Sequence, residues 1–120
     1  MSFFNQFNND IVIRDGVDLD ALDFHKLEEY EGGIIYVDGF FFTKGKYGEQ
    51  VVVVGNDAKI NMPGYAVRKF KRIDENEEAK ERVIRGELVI TNIEPLTTSN
   101  GDTYAFKLED KADLPKEEQQ

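Results

Sequence analysis

Residues 33–44, Gly-Ile-Ile-Tyr-Val-Asp-Gly-Phe-Phe-Phe-Thr-Lys, are dense in β-branched and aromatic side chains and predict one long strand. Gly39 in its middle predicts a bulge or sharp bend. Unbroken alternation puts Ile35, Val37 and Phe41 on one side and Tyr36, Phe40, Phe42 and Lys44 on the other. A register switch at Gly39 would instead send Phe40 and Phe42 into the core. A turn over residues 45–48 leads to a second strand, 49–55, giving a hairpin tipped by Lys46 and Tyr47. Residues 59–62 read as a short third strand. After Pro63, the apolar residues Ala66, Phe70 and Ile73 fall at i, i+4 and i+7, which predicts a helix over 64–73. Asp74-Glu-Asn-Glu77 starts a second helical stretch with Glu78/Arg82 and Glu81/Arg85 at i, i+4 spacing, stopped by Gly86. Two more strands, 87–93 and 103–108, are joined by a loop over 94–102, whose residues Thr97–Gly101 lie where an OB ligand groove is commonly edged. Tyr104, Phe106 and Leu108 alternate as the core face of the last strand.

Three strands, a helix and two strands is the order of a five-stranded OB-type barrel, mainly β, with a helix between strands three and four. The chain of 120 residues is too short for two sizeable cores. Residues 1–32 read as an acidic N-terminal extension packed on the domain, and residues 33–109 as the OB-fold domain. Residues 110–120 hold too little apolar surface to repay their ordering entropy and read as a mobile acidic tail.

Cysteine is absent, which removes disulfides, cysteine-ligated metals and thiol nucleophiles, and His25 is the single histidine, which removes most remaining metal and Ser-His options. Asp15, Asp18, Asp20 and Asp23 miss the EF-hand spacing and its central glycine. Residues 45–48 lack the ending of a phosphate-cradling loop. The inventory therefore predicts no enzyme, no metal and no cofactor. With neither a basic, apolar leader nor a run long enough to span a bilayer, the expected location is the cytoplasm, with no membrane partner.

The net charge of −9 argues on its face against nucleic acid. Its distribution is uneven: residues 1–43 sum to −7, residues 44–73 to +5 and residues 74–120 to −7. A basic middle between acidic flanks points to an anion-binding face. Binding single strands without base selectivity needs cations that track phosphates and flat rings on which bases stack. The candidates are the rings of Tyr36, Phe40, Phe42 and Tyr47 and the cations Lys44, Lys46, Lys59, Arg68, Lys69, Lys71 and Arg72. The acidic flanks support another reading, an inhibitor or adaptor that meets a basic protein partner.

The hairpin Gly39-Phe-Phe-Phe-Thr-Lys-Gly-Lys-Tyr-Gly-Glu-Gln-Val-Val-Val-Val54, the step Ile60-Asn-Met-Pro-Gly64 and the closing strands Gly86-Glu-Leu-Val-Ile90 and Asn100-Gly-Asp-Thr-Tyr-Ala-Phe106 carry a resemblance. Over roughly residues 33–109 the chain resembles small OB-fold single-stranded DNA-binding proteins of bacteriophages of Gram-positive hosts, particularly the lactococcal phage group. The resemblance implies a role in phage DNA replication or recombination in the host cytoplasm: coating single strands and assisting a recombinase or annealing protein. It leaves both monomer and homodimer open. The bacterial relatives carry an acidic tail tipped by an aromatic residue, whereas Pro115-Lys-Glu-Glu-Gln-Gln120 has no aromatic anchor.

Overall fold

A computed structural model describes residues 11–46, 48–99 and 101–114. Its strands are β1 (Val12–Ile13), β2 (Phe24–Lys26), β3 (Ile35–Gly45), β4 (Gly48–Gly55), β5 (Ala58–Asn61), β6 (Leu88–Thr98) and β7 (Gly101–Asp110). Helices α1 (Ala66–Asp74) and α2 (Glu77–Ile84) stand between β5 and β6. The strands form one sheet in the order β2-β5-β4-β3-β6-β7, with β1 beside β3. β3 belongs to both halves: Ile35 and Tyr36 pair with Ile90 and Val89 of β6, whereas residues from Val37 onward pair with β4. A strand shared in this way curls the sheet into an open half-barrel, with its apolar concave side covered by the helices.

Each half follows from local chemistry. Asn56 and Asp57 take positive φ values of 52° and 59° and make the two-residue turn joining β4 to β5, a conformation short polar side chains tolerate. Asn56 also ties down the start of β3, accepting from the Tyr36 N–H and donating to the Ile34 carbonyl, both at 2.9 Å. In α1, Ala66 and Phe70 turn inward. The Phe70 ring lies 5.1 Å from that of Phe40, in a core with Ile35, Val37, Val53, Ile60 and Ile90. α2 starts afresh because Asn76 leaves the helical conformation and its side chain caps the Ala79 N–H at 3.0 Å.

The structure departs from the expected closed five-stranded barrel in four places. Of the expected extension over 1–32, residues 1–10 lie outside the described residues, while 11–32 supply two strands, β1 beside β3 and β2 parallel to β5, and so contribute to the sheet rather than only packing on it. Two helices follow β5, as the spacing over 64–73 and 74–86 predicts, where the five-stranded barrel has one. The loop expected over 94–102 is mostly strand, because a bulge between Thr91 and Glu94, with Asn92 at φ 51°, lets β6 continue to Thr98. Packed chain also runs past the expected boundary at 109. β7 ends at Asp110, and Lys111–Asp113 form a 3-10 turn that delivers Leu114 into a buried position. Residues 115–120 of the expected tail lie outside the described residues.

Phe40 is a further correction. The ladder between β3 and β4 slips between Val37 and Gly39, so Phe40, not Phe41, follows Val37 on the core face. Phe40 is 0% exposed and is no stacking surface. The unbroken alternation of Tyr36 with Phe40 and Phe42 does not hold.

Candidate nucleic-acid interface

With Ala66 and Phe70 inward, the 100° step of a helix leaves Arg68, Lys69 and Arg72 exposed on the outer side of α1 and Lys71 on one flank. Lys71 reaches the β3–β4 hairpin. Its Nζ lies 2.8 Å from Glu49 Oε2 and 4.5 Å from the centroid of the Phe42 ring. Glu49 stands directly opposite Lys44 in the ladder, so Lys44 shares the face that Phe42 and Lys71 occupy. The stem of the hairpin and α1 thus form one surface, bearing Lys44, Arg68, Lys69, Lys71 and Arg72.

The electrostatic state of these cations separates them from most others in the chain. Arg14 pairs with Asp38, Lys26 with Glu28, Lys80 with Glu77, and Lys107 with Glu109. On α2, Arg82 and Arg85 face Glu78, Glu81 and Glu87 at 3.1–4.0 Å. Lys59 and Lys111 sit over the rings of Phe24 and Tyr36 at 4.4 and 5.7 Å. Among the described residues, Lys44, Arg68, Lys69 and Arg72 have no carboxylate within 4.0 Å. Although the chain has a net charge of −9, these four cations, with neither a carboxylate partner nor a ring beneath them among the described residues, gather on α1 and the adjoining hairpin.

On the other flank of α1, Lys69 borders a groove of about 610 Å³ between the start of the helix and the β6–β7 hairpin. Tyr65 and Phe106 stack in its wall with ring centroids 5.6 Å apart and planes 20° from parallel. The Tyr65 hydroxyl donates to the Tyr104 carbonyl. Leu96, which completes the wall, and Tyr65 remain 42% and 43% exposed. Burial raises the Tyr65 phenol above its ordinary pKa. The Tyr104 phenol is raised first by its 3.1 Å hydrogen bond to Glu31 and then by burial. Both rings are therefore neutral across the physiological range and add no repulsion towards a polyanion.

Of the sequence-predicted residues, the structure brings together Lys44, Arg68, Lys69, Lys71 and Arg72, with Phe42 beneath Lys71. Phe42 is half-buried: its ring meets Phe40 edge-on at 5.8 Å and carries the Lys71 ammonium over one face. Lys46 is exposed at the hairpin tip, and Tyr47 lies outside the described residues. Tyr36 and Lys59 do not join this surface. Each sits between core residues of its strand, Ile35 and Val37 or Ala58 and Ile60, and so faces the other side of the sheet. There Lys59 covers Phe24, which is 57% exposed. The predicted set is split across two faces.

Tyr65, Leu96 and Phe106 were not among the predicted site residues. Phe106 has the alternation of a core position and does pack partly against the core, but it also stacks with Tyr65 at the surface. The available signal was an aromatic residue directly after Pro63-Gly64 and directly before a basic helix. Among the described residues, no group of three or more His, Cys, Asp or Glu side chains is placed to hold a metal ion, and no helix is long and apolar enough to cross a membrane. His25 is engaged with Glu29 at 2.9 Å. Comparisons of the chain with family models, curated proteins and solved structures find no match in any of the three.

Proposed function

We propose that this protein is a sequence-tolerant single-stranded DNA-binding protein, not an enzyme, and that the strand crosses α1 between the β3–β4 hairpin and the Tyr65–Phe106 groove. One observation carries the reading: the cations left without counter-ions lie beside an exposed aromatic groove. Phosphates need the first and unpaired bases the second, since every base offers a π-face. A duplex keeps its base faces stacked inside and offers the groove nothing.

The strand order supports an OB-type assignment as part of the same proposal. β3 bridging β4 and β6, with the helices between β5 and β6, corresponds to such a barrel opened along one seam, with β2 lying parallel to β5 at that seam. The resemblance to phage single-stranded DNA-binding proteins extends the proposal to replication or recombination of phage DNA in the host cytoplasm, beside a recombinase or annealing protein.

Fluorescence anisotropy with a labelled oligo-dT, free and annealed to its complement, tests the reading. The free strand is expected to bind tighter. Tyr65→Leu should weaken its binding by about 1–3 kcal/mol with an unchanged circular dichroism spectrum. Equal affinity for the duplex, or full affinity in the folded Tyr65→Leu protein, contradicts the proposal.

A further inference from the structure

The groove beside Tyr65 continues into a second one of about 640 Å³ along the seam between the β2–β5 edge and the β6–β7 hairpin. Pro63, Leu96, Asp102 and Thr103 line both, so they mark where the two meet. Asp102 is the one acid in that set. It stands opposite Thr97 in the β6–β7 ladder, and the Thr97 hydroxyl donates to its Oδ1 at 3.2 Å. Among the described residues, no lysine or arginine comes within 4.0 Å of the Asp102 carboxylate.

A fixed carboxylate between two grooves, next to a cationic helix, repels phosphate. It thereby decides which part of a nucleotide can sit against it. An ionised carboxylate only accepts hydrogen bonds, so the favoured neighbour is a base edge that donates. Cytosine, adenine and guanine each present an exocyclic amine, and guanine adds N1–H beside its N2 amine. Thymine and uracil present carbonyl oxygens on both sides of a single N–H, and those lone pairs face the carboxylate unfavourably. The hydrogen bond from Thr97 engages one oxygen and leaves Oδ2 available.

We propose that Asp102 makes this junction a base-reading position that prefers amine-bearing bases (cytosine, adenine and guanine) over thymine and uracil. The inference rests on the single-strand reading above and adds to it a graded preference among sequences. Bases stack against Tyr65, phosphates lie towards Lys69, and the Watson–Crick edge of one base meets Asp102.

Oligo-dC and oligo-dU isolate this contact, because the two bases differ at the ring edge that would face Asp102 and neither carries the thymine methyl. Competition anisotropy is run with both on the full chain, at mildly alkaline pH where dC strands stay unfolded. The native protein is expected to favour dC by about three- to tenfold, the range of one ordinary net hydrogen bond at an exposed site. In Asp102→Asn, whose amide both donates and accepts, both strands bind more tightly as a negative charge is lost, and the dC/dU ratio falls towards one. Thr97→Val, which keeps the carboxylate but frees its orientation, should lower the ratio part of the way, and it supplies a second variant if Asp102→Asn is unfolded by circular dichroism. A native ratio near one, or a ratio that both folded variants preserve, overturns the base-reading role and leaves single-strand binding standing. Failure of the native protein to bind either strand overturns the single-strand reading itself.

Discussion

Glu29 ties its short turn together with one side chain. Its carboxylate accepts from the Lys26 backbone N–H at 2.7 Å and meets His25 Nδ1 at 2.9 Å, where β2 passes into the 3-10 turn Leu27–Tyr30. The Lys26 N–H first, and His25 second, hold this carboxyl below the ordinary glutamate range. A group whose pKa is lowered on folding stabilises the fold above its unfolded pKa, and that contribution disappears as pH falls through the folded value. Glu29→Gln is therefore expected to melt slightly earlier than the native protein at neutral pH. The gap should close as pH falls below about 4, where the unfolded carboxyl takes up its proton and the folded one follows. Thermal melts at a series of pH values check this, and a gap that stays constant down to strongly acidic pH contradicts it. Lys71 shows the same economy. Its ammonium serves Glu49 and Phe42 together, so it positions α1 against the hairpin and leaves the phosphate contacts to Arg68, Lys69 and Arg72.

Within β3, one residue decides the register. A Cβ built on Gly39 would meet the Val12 carbonyl oxygen at 2.2 Å and Ile13 Cα at 2.6 Å, both backbone atoms of β1. Gly39 allows β1 to lie against β3 at the bulge that turns Phe40 inward. Gly39→Ala is expected to cost about 1–3 kcal/mol in urea denaturation, the range of overpacking, with binding per folded molecule unchanged. A neutral substitution would contradict the close approach of β1. The bulge also marks the limit of pattern reading. Glycine in a strand announced a bend, but whether the strand gains a residue there depends on pairing with β4 and β1, and that alone decides whether Phe40 is core or surface. α1 and the β3–β4 hairpin were legible because Ala66, Phe70 and Ile73 keep helical spacing and the apolar runs of β3 and β4 are long. β1 and β2 were not, since strands of two and three residues carry no period.

Across the whole molecule, binding depends on where charge is neutralised. The sequence showed a basic middle between acidic flanks, and that much of the site was legible. It could not show which cations the fold would pair, because partners such as Arg14 and Asp38 lie 24 residues apart and meet only when β1 reaches β3. The groove was hidden for the same reason: Tyr65, Leu96 and Phe106 come from three segments that meet only where the β6–β7 hairpin passes the start of α1. The central claim is that Lys44, Arg68, Lys69 and Arg72 neutralise phosphates, and the salt dependence of oligo-dT affinity tests it most directly. Four such contacts predict that log K falls with log salt at a slope of about −3 for the native protein, and at a slope shallower than about −1 for the triple variant Arg68→Gln, Lys69→Gln, Arg72→Gln. A flat response in the native protein, or an equal slope in a folded triple variant, would contradict it.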